Sequence, residues 1–515
     1  MNPSPVSSSA TQMKSVMETL DTPHATGQTA DRSRVEAVER YVPLLVMLLV
    51  LTVVLLSALK VVSYGFIPAD DALRHVAKAV SGKPWDQIVV MRPGFEIDHN
   101  HGWHQILSLL HRTFGWGPDV LLTFSITGLL TVFCLAPIPW LRRPEAWLIV
   151  LFGLSLTHSL ERMVLARPFI LTAGVLLVLL MLWKDNKNTR VGLLVTTTLL
   201  ITAAVWIHGS WYLFALPVIA FGLSGHRRSA LELAGCWLTG TFLGASMTGH
   251  PVGFTVQAVR IMFSCFDPNA LQRMLALEFQ PSDGALSVVG AVMLMLLFRK
   301  TRGLACAPLL KNPIFVLATL GWLLGLGTRR FWDDWGAPAT GLWLALEIQE
   351  YLELETSKTA LVRLAIAVVA AGGLYLSFTK DTGGRWTYNL TDQYLTEDNP
   401  QLAGWLPEKG GVLYSANMRT FFKTFFKNPH AEWRYMLGFE ATFMPPEDLK
   451  VFRDIQWSDG NPTSYLPWVK KMRPEDRLVI NGGDWSRPQI KELEWHYATR
   501  DVWIGRLPRE APATP

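Results

Sequence analysis

Residues 41–75 read YVPLLVMLLVLTVVLLSALKVVSYGFIPADDALRH. Between Tyr41 and Phe66 the only charged residue is Lys60. A helix needs about 20 apolar residues to cross the hydrocarbon of a bilayer. Lipid offers no partner to an open backbone, so such a run must be helical. The stretch therefore predicts a membrane span, and two adjacent carboxylates, Asp70 and Asp71, stand just beyond its end. It is too long for a signal-peptide core and lacks a clean small-residue cleavage site, so it reads as a retained anchor. Residues 1–40, polar and rich in Ser and Thr, are expected to form a disordered tail or a short surface helix.

Further apolar runs follow at 119–140, 145–160, 168–183, 191–207, 211–225, 231–247, 285–299, 312–327, 337–352 and 359–378, so eleven spans are expected. The stretch 191–225 is too long for one crossing at about 1.5 Å per residue, and His208-Gly209-Ser210 divides it. With the N-terminus inside, one set of short loops holds Arg142 and Arg143, then Lys184, Lys187 and Arg190, then His226 to Arg228, then Arg299, Lys300, Arg302 and Lys311. An excess of Lys and Arg marks the cytoplasmic side. The fifth loop of that set lacks it, with Lys358 against Glu350, Glu353 and Glu355. An odd number of crossings leaves residues 379–515 outside.

Three outer segments are long: 67–118, 248–284 and 379–515. In the last, extended runs at Val412–Ser415, Arg477–Ile480 and Val502–Arg506 alternate with polar helical patches. The expected fold class is an all-α polytopic transmembrane bundle with a small extracytoplasmic α/β C-terminal domain. Its parts are a cytoplasmic tail (1–40), a membrane module (41–378) and a soluble domain (379–515).

Hydrophobic residues make up 50% of the chain, which a soluble protein can also reach, so their clustering decides the class. The formal charge of +5 sits largely in short loops, where membrane orientation accounts for it, and no nucleic-acid partner is expected. Many of the 21 tryptophans, such as Trp140, Trp206, Trp211 and Trp335, fall at span ends, as an interfacial belt requires. Cys134, Cys236, Cys265 and Cys306 form no CxxC, which argues against a disulfide framework or a zinc site. The chain carries no repeat, phosphate loop or dinucleotide fingerprint.

The outer side gathers the polar residues. Asp71 and His75, and Asp70 and Arg74, are four apart and share a face if the stretch is helical. The pair of acids can take a proton or hold a cation, or simply favour a helix start. Residues 92–104 read RPGFEIDHNHGWH, placing His99, His101 and His104 near Asp98 at a spacing that matches no standard zinc motif. His101 and His104 can orient a phosphate or a sugar hydroxyl. Trp103–Phe114 is amphipathic enough to lie on the membrane surface, with His104 toward headgroups. Glu161, Arg162 and Arg167-Pro168 follow in the next outer turn, then His208, then Asp267, Arg273, Glu278 and Asp283, then Arg329-Arg330 with Asp333-Asp334. Helical spacing pairs Arg329 with Asp333 and Arg330 with Asp334, and ion pairing alone can explain them. Arginines at an outer boundary also suit an anionic lipid phosphate. A lipid-phosphate site bounded by Asp70, Asp71, His101, Arg167 and Arg329 is therefore expected.

This layout resembles the GT-C superfamily of polytopic membrane glycosyltransferases. The resemblance rests on an inside N-terminus, one span, and a long outer loop opening with Asp70-Asp71. It continues through His99-Asn100-His101-Gly102-Trp103-His104, Arg167-Pro168 and a final soluble domain. It implies sugar transfer from a polyprenyl-phosphate-linked donor to a glycan, lipid or protein acceptor, usually with inversion. It also implies a first-loop carboxylate, Asp70 or Asp71, as base or metal-linked residue, with a divalent cation (magnesium or manganese) in some members. His75, His99, His101, His104, Arg167, His208, Arg329 and Arg330 would then bind donor or phosphate. Such an enzyme is expected in a bacterial inner membrane, among membrane lipids. A glycan polymerase or ligase would rely on a late polar loop, whereas the main one here is early. A transporter would carry mid-membrane charges and repeats, which the chain lacks. A non-enzymatic envelope assembly protein is the remaining alternative.

Overall fold

The expected spans all form helices. The computed structural model describes residues 25–68, 70–157, 159–184, 190–264, 279–354, 360–481, 486–500 and 502–508. In chain order the helices are α1 (Ala25–Ser63), α2 (Asp71–Ser81), α3 (His101–Phe114), α4 (Pro118–Leu135), α5 (Pro144–Leu156), α6 (Phe169–Lys184) and α7 (Arg190–Ile207). Next come α8 (Ala215–Leu223), α9 (Arg227–Ser246), α10 (Pro251–Ser264), α11 (Leu286–Thr301), α12 (Pro313–Gly325), the short turn α13 (Arg329–Phe331), α14 (Ala337–Leu354) and α15 (Ala360–Thr379). The C-terminal part holds β1 (Val412–Ser415), α16 (Met418–Lys427), β2 (Arg434–Tyr435), α17 (Pro446–Trp457), α18 (Leu466–Lys471), β3 (Arg477–Asn481), β4 (Glu494–Thr499) and β5 (Val502–Arg506).

Among the described residues, four helices are long and apolar enough to cross a membrane: Leu44–Ser63, Pro118–Trp140, Arg190–Ile207 and Leu361–Thr379. Five shorter apolar helices accompany them. Leucines remain exposed along α1 (Leu44, Leu48, Leu55, Leu59), α9 (Leu231, Leu238), α11 (Leu294, Leu297) and α15 (Leu361, Leu376). An apolar exterior of this extent requires lipid around it, and the chain is an integral membrane protein. Of the expected tail, residues 25–40 are described and are helical. They continue α1, because Ala, Glu, Arg and Gln there favour helix and the long apolar run nucleates it.

Ion pairs and hydrogen bonds sort the connectors into two ends. At one end Arg363 meets Glu145, Arg142 meets Glu353, Arg299 meets Glu347, and His226 meets the Lys311 carbonyl. At the other, Arg162 meets Asp333 and Asp334, Arg330 meets His208, and Arg385 meets Glu161. Lys187, Glu355 and Lys358 lie outside the described residues.

The expected outer segments are structured. Residues 71–114 supply α2 and α3, and α10 is an apolar helix within 248–284. The C-terminal sheet has the order β2-β1-β3-β5-β4, with β1 parallel to β2 and β3, and β5 antiparallel to β3 and β4. Its β2 edge is covered by the first long segment: Val90 N–H donates to the Tyr435 carbonyl at 2.9 Å, and Tyr435 N–H to Ile88 at 2.8 Å. That pairing blunts an open edge and fastens the sheet over the end of the bundle that carries Arg162 and Arg330.

α12 approaches the π-helical turn Trp332–Gly336 backbone to backbone, and a Cβ on Gly321 would collide with the Gly336 main chain. Overpacking at such a contact costs about 1–3 kcal/mol. Gly321→Val is expected to lower the melting temperature of the detergent-solubilised protein by several degrees. Gly290→Ala on α11, where a Cβ meets open space, should leave it unchanged.

Candidate functional site

α2 begins where Asp70 accepts the Ala72 N–H at 3.4 Å, and ends at Gly82 in the left-handed conformation, φ 64°. It is buried on nearly all sides, against α3, α4 and α16. From it Asp71, Arg74 and His75 face a cleft of about 290 Å³. The other walls are His99 and Asn100, Arg162 in the 3-10 turn Ser159–Val164, Arg167-Pro168-Phe169 at the start of α6, and the turn His208-Gly209-Ser210. Arg330 and Asp334 close one side. The roof comes from the C-terminal part: Met418 and Phe422 of α16, with Phe439, Glu440 and Phe443.

The turn after α7 reaches this site because Gly209 N–H donates to the His99 carbonyl at 2.9 Å. A Cβ on Gly209 would stand 2.9 Å from that same oxygen, so the approach requires glycine.

Every arginine on the cleft is gripped by a carboxylate. Arg74 holds both oxygens of Asp71, one at 2.9 Å. Arg167 Nη2 donates to Asp70 Oδ2 at 2.9 Å. Arg162 spans Asp334 at 3.0 Å and Asp333 at 3.4 Å. Arg330 Nε lies 3.3 Å from Asp334, and its Nη2 donates to Ser210 Oγ at 2.5 Å and to His208 Nε2 at 3.0 Å. Arg74 also lies 3.9 Å over the Phe439 ring, which ties α2 to the roof. Burial pushes the Asp71 carboxyl upward, but the Arg74 and Arg167 guanidinium groups outweigh it and hold it well below the usual value. Burial pulls His75 down to about 3 and His99 to about 4, so both are neutral at physiological pH.

The structure brings Asp71, His75, His99, Arg167, His208 and Arg330 onto one cleft. Asp70 stands one contact behind, through Arg167. Four expectations need correction. Arg329 points to a neighbouring cavity with Asp333 and Trp332, because consecutive residues on a helical turn diverge in direction. His101 opens α3 and is not among the lining residues. His104 faces neither headgroups nor the cleft; α3 packs that face on α2 and α7, and His104 is 4% exposed behind His75. Arg74 pairs with Asp71 rather than Asp70, since Asp70 is the helix cap and turns away. Asp267, Arg273 and Glu278 lie outside the described residues.

Arg74 and Asp334 were visible in sequence only as members of local pairs, and Arg162 only as one of the polar groups of an outer turn. Phe439 and Glu440 carried no signal, because their place depends on how the sheet docks. As for a divalent cation, Asp71 and Asp70 already hold guanidinium groups, so a cation would have to displace an arginine there. Among the described residues no three His, Cys, Asp or Glu side chains gather as a metal set.

Arg162 serves two carboxylates that are nearly buried, at 10% and 6% side-chain exposure. Arg162→Ala is expected to cost about 3 kcal/mol of unfolding free energy in a denaturant titration, as for breaking a buried pair. Arg329→Ala, whose side chain is 37% exposed, should cost less than about 1 kcal/mol.

No protein-family model matches the chain, and no curated protein matches it. Among solved structures, it is similar to the archaeal oligosaccharyltransferase AglB from Archaeoglobus fulgidus in complex with an inhibitory peptide and a dolichol-phosphate. That likeness has 13% identity and a TM-score of 0.49, over 84% of this chain and 69% of the other. The chain is also similar to the Archaeoglobus fulgidus oligosaccharyltransferase tethered by a disulfide to an acceptor peptide containing the NVT sequon, at 12% identity and a TM-score of 0.44, over 84% and 69% of the two chains.

Proposed function

We propose that the protein is a membrane glycosyltransferase that moves a sugar from a polyprenyl-phosphate-linked donor to an acceptor hydroxyl or amide outside the cytoplasm. The observation that carries this reading is the cleft itself. Four arginines, each held in place by a carboxylate, line a space of about 290 Å³ between an apolar helix bundle and a largely aromatic roof. That volume suits a sugar phosphate near the low end of ordinary ligand pockets. A polyprenyl tail would lie along the exposed leucine-rich helices while its phosphate meets Arg162, Arg167 and Arg330.

The carboxylates orient these guanidinium groups without consuming them, since each presents five N–H donors. As the bond between the anomeric carbon and the phosphate oxygen breaks, negative charge grows on the leaving phosphate. Preorganised donors in a site shielded from water stabilise that charge most strongly. Attack from the side opposite the phosphate inverts the anomeric carbon. Asp71, a carboxylate fixed by Arg74, accepts a hydrogen bond from the incoming acceptor and orients it. Asp70 acts through Arg167. In domain terms, residues 41–378 bind the lipid-linked donor and residues 379–515 close the cleft, on the outer face of a bacterial inner membrane.

Purified full-length protein in nanodiscs should release polyprenyl phosphate from at least one member of a panel of polyprenyl-phosphoryl hexoses and pentoses. Arg330→Gln should lower kcat by about 10²–10³-fold, as when an oxyanion donor is removed, and Arg329→Gln should stay within about threefold. No release from any donor, or equal loss in both variants, would overturn the reading.

The orientation has its own test. Cys306 is exposed at the Arg299–Glu347 end, and Glu96 is exposed beside the cleft. In intact cells a membrane-impermeant maleimide should label a Glu96→Cys protein that lacks the native cysteines, and should reach Cys306 of the native protein only after permeabilisation. The reverse pattern would place the cleft in the cytoplasm.

A further inference from the structure

Four side chains of the first long segment stand in a row behind the cleft wall. Asp98 Oδ2 lies 2.6 Å from His104 Nδ1, and His104 Nε2 lies 2.8 Å from His75 Nδ1. His75 Nε2 then lies 3.7 Å from Asp71 Oδ2, at the cleft. His75 and His104 are 1% and 4% exposed, so water does not compete for these contacts.

The protons in this row can be counted. Asp98 also accepts the Asn100 N–H at 3.1 Å and has Lys78 nearby, and it stays ionised. A carboxylate only accepts, so His104 carries its proton on Nδ1. A neutral imidazole has one N–H, which leaves His104 Nε2 as an acceptor. His75 Nδ1 must donate to it. By the same count His75 Nε2 is bare, and its lone pair is turned toward Asp71 and the cleft. Burial favours the neutral form of both rings.

A bare nitrogen beside a carboxylate has no reason to sit there unless a donor comes between them. An acceptor hydroxyl can bridge the two. Resting on the transfer reading above, we infer that His75 Nε2 takes the proton of the attacking group, and that Asp98 and His104 are positioning residues that set the His75 tautomer. The O–H bond breaks and its proton moves to His75 Nε2. The freed electron pair on oxygen forms the bond to the anomeric carbon. The carbon–oxygen bond to the phosphate breaks, and its electron pair leaves on the polyprenyl phosphate. The imidazolium so formed faces Asp71, whose charge offsets it. Arg74 occupies both oxygens of Asp71, so that carboxylate is left to hold charge beside the ring. The same logic governs a carboxylate that holds a catalytic imidazole in one tautomer.

The test uses full-length protein in nanodiscs and two independent readouts. The first is nitrogen NMR of 15N-histidine-labelled protein, with the His75 signal identified by its loss in His75→Gln. A protonated Nδ1 with a bare Nε2 is expected, and Asp98→Asn should lower that population. A protonated Nε2 in the wild type overturns the inference. The second is turnover on the donor panel. His75→Ala should lose about 10²–10⁴-fold in kcat and regain part of it with added imidazole, while binding of undecaprenyl phosphate stays within about threefold. His75→Gln serves if the alanine variant fails to fold. Asp98→Asn should lower kcat without raising KM, and Asp98→Glu should recover part of the loss. A raised KM with kcat retained in His75→Ala would make His75 a phosphate ligand and overturn the proposal. If the wild type transfers nothing, the transfer reading falls and takes this inference with it. If the wild type and His75→Ala transfer alike, this inference alone falls.

Discussion

The structure turns on paired charges at the edge of a low-dielectric bundle. Arg162, Arg329 and Arg330 share Asp333 and Asp334 across two separate connectors. Taking such groups out of water costs several kcal/mol per ion unless the geometry returns it. Pairing is therefore a condition for the bundle end to exist, and it fixes where each guanidinium points. The π-helical turn Trp332–Gly336 carries both acids into that network, as widened turns often do near functional sites. Its close approach to α12 is possible only because Gly321 and Gly336 have no side chains.

The same network explains why the site needs a roof. Charge pairs open to water would be screened and loosely held. The C-terminal part excludes water with Phe422, Phe439 and Phe443, and the Phe439 ring stacks on Arg74. It stays in place because residues 85–92 join the β2 edge and because α16 packs on α2. A short stretch after the first span thus supplies the cleft's acid, its buried histidine row and the attachment of its cover. Strength of electrostatic interaction and exclusion of solvent come from one arrangement, which is what charge stabilisation in a reaction requires.

Much of this was legible residue by residue. The spans were, because lipid enforces long apolar runs whatever their neighbours. The pairs Arg329–Asp333 and Arg330–Asp334 were, because a four-residue spacing puts side chains on one face. Three of the five strands were, from their extended β-branched runs; β2 was too short to show, and β4 (Glu494–Thr499) is too mixed in polarity. His104 was misplaced because amphipathicity tells that a helix has a wet and a dry face, not which neighbour makes it dry. Here α2 and α7 do so.

Local chemistry alone therefore settles the membrane-bound class, the helices, and the gathering of acids, arginines and histidines in alternate connectors. Each of those follows from interactions within a few residues or between one helix and its solvent. Packing between distant segments settles the rest: that Arg330 enters the cleft while Arg329 turns away, that Asp98 reaches His75 through His104, and that Phe439 closes the top. Those outcomes depend on the rotation of one helix against another and on where a sheet edge docks, and neither is encoded in the spacing of residues along a single element.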